Sequence, residues 1–182
     1  MTSLPDAPRR RKSTSEPMTL EDERPGDIAV IRALTRAAFE GAPYSDQTEA
    51  QIVDALRAAG ALTLSLVAAL DGEIVGHAAF SPVRIDGRLY GWYGLGPVSV
   101  RPDHQRRGIG SAVISHGLDR LRRMQARGCV VFGDPRYYGR FGFVCDPRLT
   151  YPPSPDGYFQ RLSFTPSTPT GQVDYHAAFD AP

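Results

Sequence analysis

Two Asp-Gly dipeptides, Asp71-Gly72 and Asp86-Gly87, separate three β-rich runs, and this arrangement constrains the chain more than any other feature. Asp-Gly favours the positive φ angles of a type I′ turn, whose twist matches that of a hairpin. Before the first turn, Leu62, Leu64, Leu66, Ala68 and Leu70 alternate with smaller or polar residues, as in a half-buried strand. Residues Ile74 to Ile85 form the second run and Tyr90 to Val100 the third, so an antiparallel meander is predicted. Pro97 cannot donate to a ladder and predicts a bulge or an open side in the third strand. After Arg101-Pro102 the hydrophobic period changes. Ile109, Val113, Ile114, Leu118, Leu121 and Met124 line one side of a helix expected from about Gly108 to Ala126. Arg127-Gly128 closes it, and the apolar run from Cys129 to Phe132 follows as a short strand. Strand, helix and strand of these lengths make a βαβ crossover, so strands 91–100 and 129–133 should be parallel and close.

Two helices are expected ahead of the meander. Asp27 is a candidate cap for Ile28, Ile31, Leu34 and Ala38 at helical spacing, with Gly41-Ala-Pro43 as the stop. Asp46 with Glu49 resembles a capping box for a second helix carrying Ile52, Val53, Leu56 and Ala59, ended by Gly60. After Tyr137 the chain is rich in proline and aromatics, with strands expected at Phe159 to Phe164 and Val173 to Phe179. Residues 1–17 are polar, Pro/Ser-rich and without hydrophobic periodicity, and read as a disordered tail before a single domain over 18–182. The fold class expected is α/β (α+β by its mixed sheet): an antiparallel meander followed by a βαβ crossover, with helices on both faces.

Composition removes several function classes. Of 21 basic residues all but Lys12 are arginine, and Lys12 lies in the tail, so a folded Schiff-base lysine is absent and no Gly-Lys pair exists for a Walker A loop. The formal net charge of +1 does not point to nucleic acid or membrane, and no apolar run approaches the ~20 residues that span a bilayer. Cys129 and Cys145 are too few for a disulfide scaffold and fit a reduced, cytoplasmic compartment. The four histidines and two cysteines show no metal-ligand spacing.

The chemistry-bearing segment runs from Val98 to Ser111, VSVRPDHQRRGIGS. A strand leads through a polar loop into a helix whose first turn holds Gly108 and Gly110. Glycine lets a ligand approach the backbone, and the first N–H groups of a helix point at it with the positive end of the dipole behind them. Arg106 and Arg107 stand beside them, and residues 101–127 carry a net charge of +5. This predicts a phosphate cradle. The dinucleotide fingerprint is broken, because Val113 occupies its third glycine position and seven loop residues separate Val100 from Gly108.

The segment Gln105-Arg-Arg-Gly-Ile-Gly110 resembles the Gln/Arg-x-x-Gly-x-Gly/Ala signature of the GNAT superfamily, the acyl-CoA-dependent N-acetyltransferases. The stretch Val98 to Asp103 is similar to that family's fourth strand and following turn, and Tyr138-Gly-Arg-Phe-Gly-Phe143 to its Tyr-x-x-x-Gly-Phe element. Residues 133–138 and 171–175 resemble a bacterial branch of small stand-alone N-acetyltransferases. The resemblance implies acetyl-CoA as co-substrate, without metal, in a cleft between the strand ending at Val100 and the strand ending near Gly133. It implies contacts from Val98, Ser99 and Val100 to the pantetheine arm and from Gln105, Arg106, Arg107, Gly108, Ile109, Gly110 and Ser111 to the pyrophosphate. Tyr138 would protonate the leaving thiolate. Many members carry an asparagine after the fifth strand, where this chain has Gly133-Asp134-Pro135.

The general base is not legible; His77, Glu73, Tyr93 and His104 are all candidates. Direct acetyl transfer to a primary amine, of a small molecule or a protein, is the leading function, and a non-catalytic acyl-CoA sensor of the same fold is the alternative. No nucleic-acid or membrane partner is expected, and a homodimer is compatible with the reading.

Overall fold

The computed structural model describes residues 17–43, 45–152 and 157–180. The expected tail falls, up to residue 16, outside them. The order of elements is β1 (Thr19–Asp22), α1 (Ile28–Phe39), α2 (Glu49–Ala58), β2 (Leu64–Leu70), β3 (Glu73–Ile85), β4 (Arg88–Val100), α3 (Ile109–Arg123), β5 (Gly128–Phe132), α4 (Pro135–Tyr138), β6 (Leu149–Thr150), β7 (Phe159–Ser163) and β8 (Gly171–Asp174).

The strands form one eight-stranded sheet in the order β1-β2-β3-β4-β5-β7, with β8 joining the far end of β3 at Arg84 and Ile85 and pairing with β6. Both hairpin turns carry positive φ at Asp and Gly, 49° and 80° for Asp71-Gly72 and 46° and 73° for Asp86-Gly87, as the turn chemistry requires. β4 and β5 are parallel neighbours joined by α3. One layer packs α3 on one face of the sheet, with Phe80, Leu66, Leu95, Cys129 and Val131 against Val113, Ile114, Leu118 and Leu121. The other face carries α1 and α2, where Ile31 and Val53 meet Val67 and Ala79. Further along that second face, Val83, Ile85, Trp92 and Val130 pack beneath Leu149, Phe159 and Val173. Burying a side chain such as Phe80, which is fully inaccessible, contributes roughly 1.5–3 kcal/mol.

Several expectations are corrected. Asp27 holds the cap position of α1 but makes no side-chain bond to the helix; its carboxylate accepts from the Arg24 N–H at 2.7 Å and closes a 3-10 turn, Pro25–Asp27, that feeds the helix. The capping box at Asp46 does not form, because the cap position of α2 falls to Thr48, without a side-chain bond. Met124 is 48% exposed, since α3 stops one residue before it and the chain turns through Gln125 at φ 61°. The last expected strand is shorter and earlier, Gly171–Asp174, and Ala177–Asp180 is a 3-10 turn. The sequence reading also missed the edge strand β1, whose TLED sequence has only Leu20 to signal a core.

β4 positions the site. Its register with β3 passes from Ala78↔Val98 to Phe80↔Leu95, so Gly96 and Pro97 together oppose Ala79 in a bulge. On its other side, β4 pairs with β5 only from Trp92↔Gly128 to Leu95↔Val131. Beyond Leu95 the two strands part, and β5 stays with β7. A wedge opens between them, with its apex at Leu95 and Val131 and its mouth at Val100 and the start of α3.

Candidate active site

The edge of β4 that lines the wedge is an unfinished ladder. The Arg101 N–H bonds the Val75 carbonyl at 2.9 Å. Antiparallel alternation then makes His77↔Ser99 the next hydrogen-bonded pair and turns the N–H and C=O of Val98 and Val100 away from β3, into the wedge. The Gln105 side-chain amide donates to the Val100 carbonyl at 3.2 Å, so the loop holds the outer end of this edge. From Leu95 to Val100 five residues of strand cover about 17 Å.

At the mouth, Gly108 takes a left-handed conformation (φ 83°) and turns the chain into α3. The first helical bond is from the Ala112 N–H to the Gly108 carbonyl at 2.9 Å, which leaves the amides of Ile109, Gly110 and Ser111 without an intrahelical acceptor. Arg106 and Arg107 are exposed beside them. Gly110 is closely approached: a Cβ there would lie 3.0 Å from the Tyr137 hydroxyl and 3.4 Å from Val100 Cγ2, so the Tyr137 side chain would have to yield slightly to a larger residue. Ile109 is buried against Ala68 and Val75, so its side chain anchors the helix and only its backbone faces the cradle.

Ser99 is a correction. Its side chain is 1% exposed and points to the α1 face, donating to Thr35 Oγ1 at 3.2 Å, and its backbone faces β3; it does not line the wedge.

The opposite wall comes from the turn after β5. Asp134 caps α4 by accepting from the Arg136 N–H at 2.8 Å, which accounts for this residue after the fifth strand. The cap sets two neighbouring tyrosines beside the end of β5. The Tyr138 ring lies over Gly133, whose Cβ would come within 2.4 Å of it, and stacks edge-on with Tyr137 and Phe143 at 5.0 and 6.0 Å. Tyr137, with the Arg140 guanidinium 4.5 Å above its ring, reaches toward Gly110. No motif singles out Tyr137 in the sequence; its place follows from α4 facing the start of α3.

The candidate bases are dispersed. His77 is fully buried on the α1/α2 face, its Nε2 2.8 Å from Ser65 Oγ, and burial pushes its ring down to about 4, so it is neutral at pH 7. Ser65 in turn bonds Glu23, and Glu23 takes a two-pronged bond from Arg57 at 2.6 and 2.9 Å. Burial raises the Glu23 carboxyl, but Arg57 and Ser65 outweigh it and hold it below its ordinary value. Glu73 pairs with Arg101 at 2.9 Å on the surface, and His104 leans on Asp103 at 2.9 Å. Tyr93 packs on the α3 face. The Cys129 thiol is buried and pushed far up, chiefly by desolvation, and is inert as a nucleophile. Among the described residues, no group of three or more His, Cys, Asp or Glu is arranged to hold a metal.

A parallel crossover, a ladder left open beyond a bulge and a row of free helix amides at the mouth define a protein that receives an extended, anion-bearing ligand as an extra strand. The acetyltransferase (GNAT) family matches residues 28–143. The chain is 35% identical over 170 residues to the uncharacterized N-acetyltransferase YhbS of Escherichia coli, covering 90% of this chain and 99% of that one. A GNAT family acetyltransferase from Brucella melitensis, solved in complex with acetyl-CoA, is 56% identical with a TM-score of 0.81, covering 90% of this chain and 98% of that one. The crystal structure of Escherichia coli YhbS with CoA is 34% identical with a TM-score of 0.82, covering 90% and 92%. The chain belongs to the GNAT acetyltransferase family and is an acyltransferase by that membership.

Proposed function

We propose that this protein transfers the acetyl group of acetyl-CoA directly to a primary amine held in the wedge between β4 and β5. The observation that carries the reading is the free edge of β4: Val98 and Val100 offer backbone donors and acceptors over a length that suits the pantetheine arm, and the edge ends at the cradle. The amides of Ile109, Gly110 and Ser111, with Gly108, Arg106 and Arg107 around them, bind the pyrophosphate. Gln105 sets the loop by holding the Val100 carbonyl. Solved relatives were crystallised with acetyl-CoA or CoA, which supports the same ligand here.

Tyr138 serves as the acid. An amine must be neutral to attack, and the departing sulfur must gain a proton; a tyrosine with an ordinary value near ~10 holds one at neutral pH. The amine nitrogen forms its bond to the acyl carbon, the carbon–sulfur bond breaks, the sulfur takes the phenol proton and the nitrogen releases one, which restores the phenol by way of solvent. Every residue in this account comes from one chain. We place the reaction in the cytoplasm, in keeping with the free thiols Cys129 and Cys145; no helix among the described residues is long and apolar enough to cross a membrane.

Acetyl-CoA at 100 times its Kd should stabilise the fold by about 2.7 kcal/mol and raise Tm, with ATP and NADH shifting it less, and a panel of amines should release free CoA thiol. An equal shift from ATP would make the cradle a generic phosphate site. Tight acetyl-CoA binding with no turnover on any amine would favour the sensor.

A further inference from the structure

The wedge has a second side that the family motifs do not describe. On the α1/α2 face, just behind the apex where β4 and β5 are still paired, two hydroxyls are buried without a hydrogen-bond partner, Ser81 Oγ and the Tyr175 phenol; Trp92 Nε1 and His77 Nδ1 are likewise open on this face. Ser81 is fully inaccessible. An unpaired buried hydroxyl costs about 1–3 kcal/mol, so two together need an explanation.

Their placement supplies it. Ser81 pairs with Gly94 across the β3–β4 ladder, and directly paired residues share a face. The Tyr175 ring lies over Gly94: a Cβ at that position would sit 2.4 Å from Tyr175 Cε1, so only glycine admits the ring. Both hydroxyl-bearing residues therefore stand over one spot of β4, next to Leu95, where pairing with β5 ends. Tyr138 packs on the α3 face of the same apex, against the cluster that holds Leu95 and Val131. One side of the apex carries the group assigned to the leaving sulfur. The other carries two hydroxyls with nothing to bond, one on β3 and one above β4.

The approach to that second side is aromatic. Tyr175 stacks edge-on with Tyr151 at 5.0 Å, Tyr151 meets Phe132 at 6.2 Å, and Phe132 meets Tyr158 at 6.0 Å. Phe132 and Tyr158, at the outer end, are 43% and 39% exposed. A row of rings that begins in solvent and ends at two buried hydroxyls suits a ligand with an apolar body and one polar tip.

We propose that Ser81 and Tyr175 are the acceptor side of the transfer site: their hydroxyls bind the attacking nitrogen, and the ring row selects a primary amine carried on an aromatic or similarly apolar arm. This rests on the acetyl-transfer reading and adds the acceptor to it. The neutral nitrogen donates its N–H groups to the two hydroxyl oxygens, which leaves its lone pair directed at the acyl carbon. The nitrogen forms the new C–N bond and loses one proton to solvent, the C–S bond breaks, and sulfur gains one proton from Tyr138. Neither Ser81 nor Tyr175 changes its own proton count. Burial first, then the neighbouring Cys129, Tyr151 and Tyr138, hold the Tyr175 phenol well above its ordinary value, which suits a partner that stays protonated.

The test uses conjugates whose CoA sulfur carries an acetyl-linked phenethylamide or, for comparison, an acetyl-linked 4-aminobutylamide. The full chain should bind the phenethyl conjugate at least tenfold tighter than CoA, and tighter than the aminobutyl conjugate. The conjugate's amide has one N–H to donate, so at least one of Tyr175→Phe and Ser81→Ala should lose most of that tenfold gain, while the affinity of both for CoA itself stays within twofold. A structural role alone would not separate the two affinities. No gain in the wild-type chain, or a gain that both variants keep, overturns the proposal; a preference for the aminobutyl arm overturns the acceptor class. Failure of CoA itself to bind would instead bring down the underlying acetyl-transfer reading.

Discussion

The two faces of the wedge are built in opposite ways. On the α3 side nearly everything comes from two short stretches: residues 98–111 supply the open strand edge and the helix amides, and residues 133–143 supply the facing tyrosines. The groups that matter there are mostly backbone, and they are placed by local turns. On the α1/α2 side the polar groups come from positions 23, 57, 65, 77, 81 and 175, and each is placed by sheet register and long-range packing. The second side also divides in two. The Glu23–Ser65–His77 network, braced by Arg57, is bonded from Arg57 through Glu23 and Ser65 to His77 Nε2 and ends at an unpartnered His77 Nδ1, whereas the Ser81 and Tyr175 hydroxyls are bonded to nothing. A contiguous backbone site suits a ligand shared by many proteins, and a scattered side-chain site can be retuned residue by residue without disturbing it.

The sharpest way to break this contrast is at Gly110. Gly110→Asp places bulk where a Cβ is already 3.0 Å from the Tyr137 hydroxyl and puts negative charge among the amides of the cradle. Acetyl-CoA affinity should fall by more than roughly 10³-fold, about 4 kcal/mol, while circular dichroism and Tm of the free protein stay near wild type. Unchanged affinity measured by calorimetry in a folded variant would remove the cradle from the start of α3. Next in size, Tyr138→Phe keeps the ring over Gly133 and deletes the proton. Turnover should drop by roughly 10²–10⁴-fold with acetyl-CoA affinity nearly unchanged, because the lost interaction exists only in the transition state. Full turnover would make Tyr138 a packing aromatic.

On the other face, His77 distinguishes a structural network from a catalytic one through pH. The folded chain keeps the ring neutral down to about 4, and the unfolded chain protonates it near 6.5. Between those values the unfolded state binds more protons, so stability falls as pH falls through that window. Unfolding free energy should decrease by about 2 kcal/mol from pH 7 to pH 5, and His77→Gln should flatten that slope. Glu23, held below its ordinary 4.5, loses its contribution only at lower pH and leaves the window to His77. A wild-type curve that is flat from pH 7 to pH 5 would contradict the burial of a neutral ring.

The same division explains what was legible in the sequence. The meander, the crossover and the cradle are written in turn residues, a change of hydrophobic period and two glycines, all within a few residues of the structure they cause. The opening of the ladder was foreshadowed by Pro97, whose bulge with Gly96 opposes Ala79. Asp residues resemble caps whether or not the chain bonds them: the cap of α2 falls to Thr48 rather than Asp46, and Asp27, although at the cap position of α1, gives its carboxylate to the preceding 3-10 turn. Tyr175 gave no chemical signal of its own. Its meaning depends on Gly94 lying beneath it and on Ser81 lying beside Gly94, and that register joins residues more than ninety positions apart in the chain. Tyr137 and Tyr138 are adjacent tyrosines with a motif to favour one of them, and only the position of α4 brings the Tyr137 hydroxyl to Gly110 and lays the Tyr138 ring over Gly133.

Ser99 marks the boundary between the two faces and gives the smallest and most discriminating effect. It sits in the middle of the open edge of β4, between Val98 and Val100, and any reading by proximity in sequence assigns it to the cofactor. Alternation along a strand says otherwise, because its neighbours turn their backbone groups into the wedge while Ser99 bonds β3 and donates its hydroxyl to Thr35. Ser99→Ala removes one side-chain bond in a buried place and leaves the Thr35 hydroxyl to turn back toward its own helix carbonyls, so stability should fall by only about 1 kcal/mol. Acetyl-CoA affinity should not change beyond twofold. If chemical denaturation shows no loss and calorimetry shows weakened acetyl-CoA binding, Ser99 belongs to the cofactor side and the strand is turned over relative to the assignment made for Val98 and Val100.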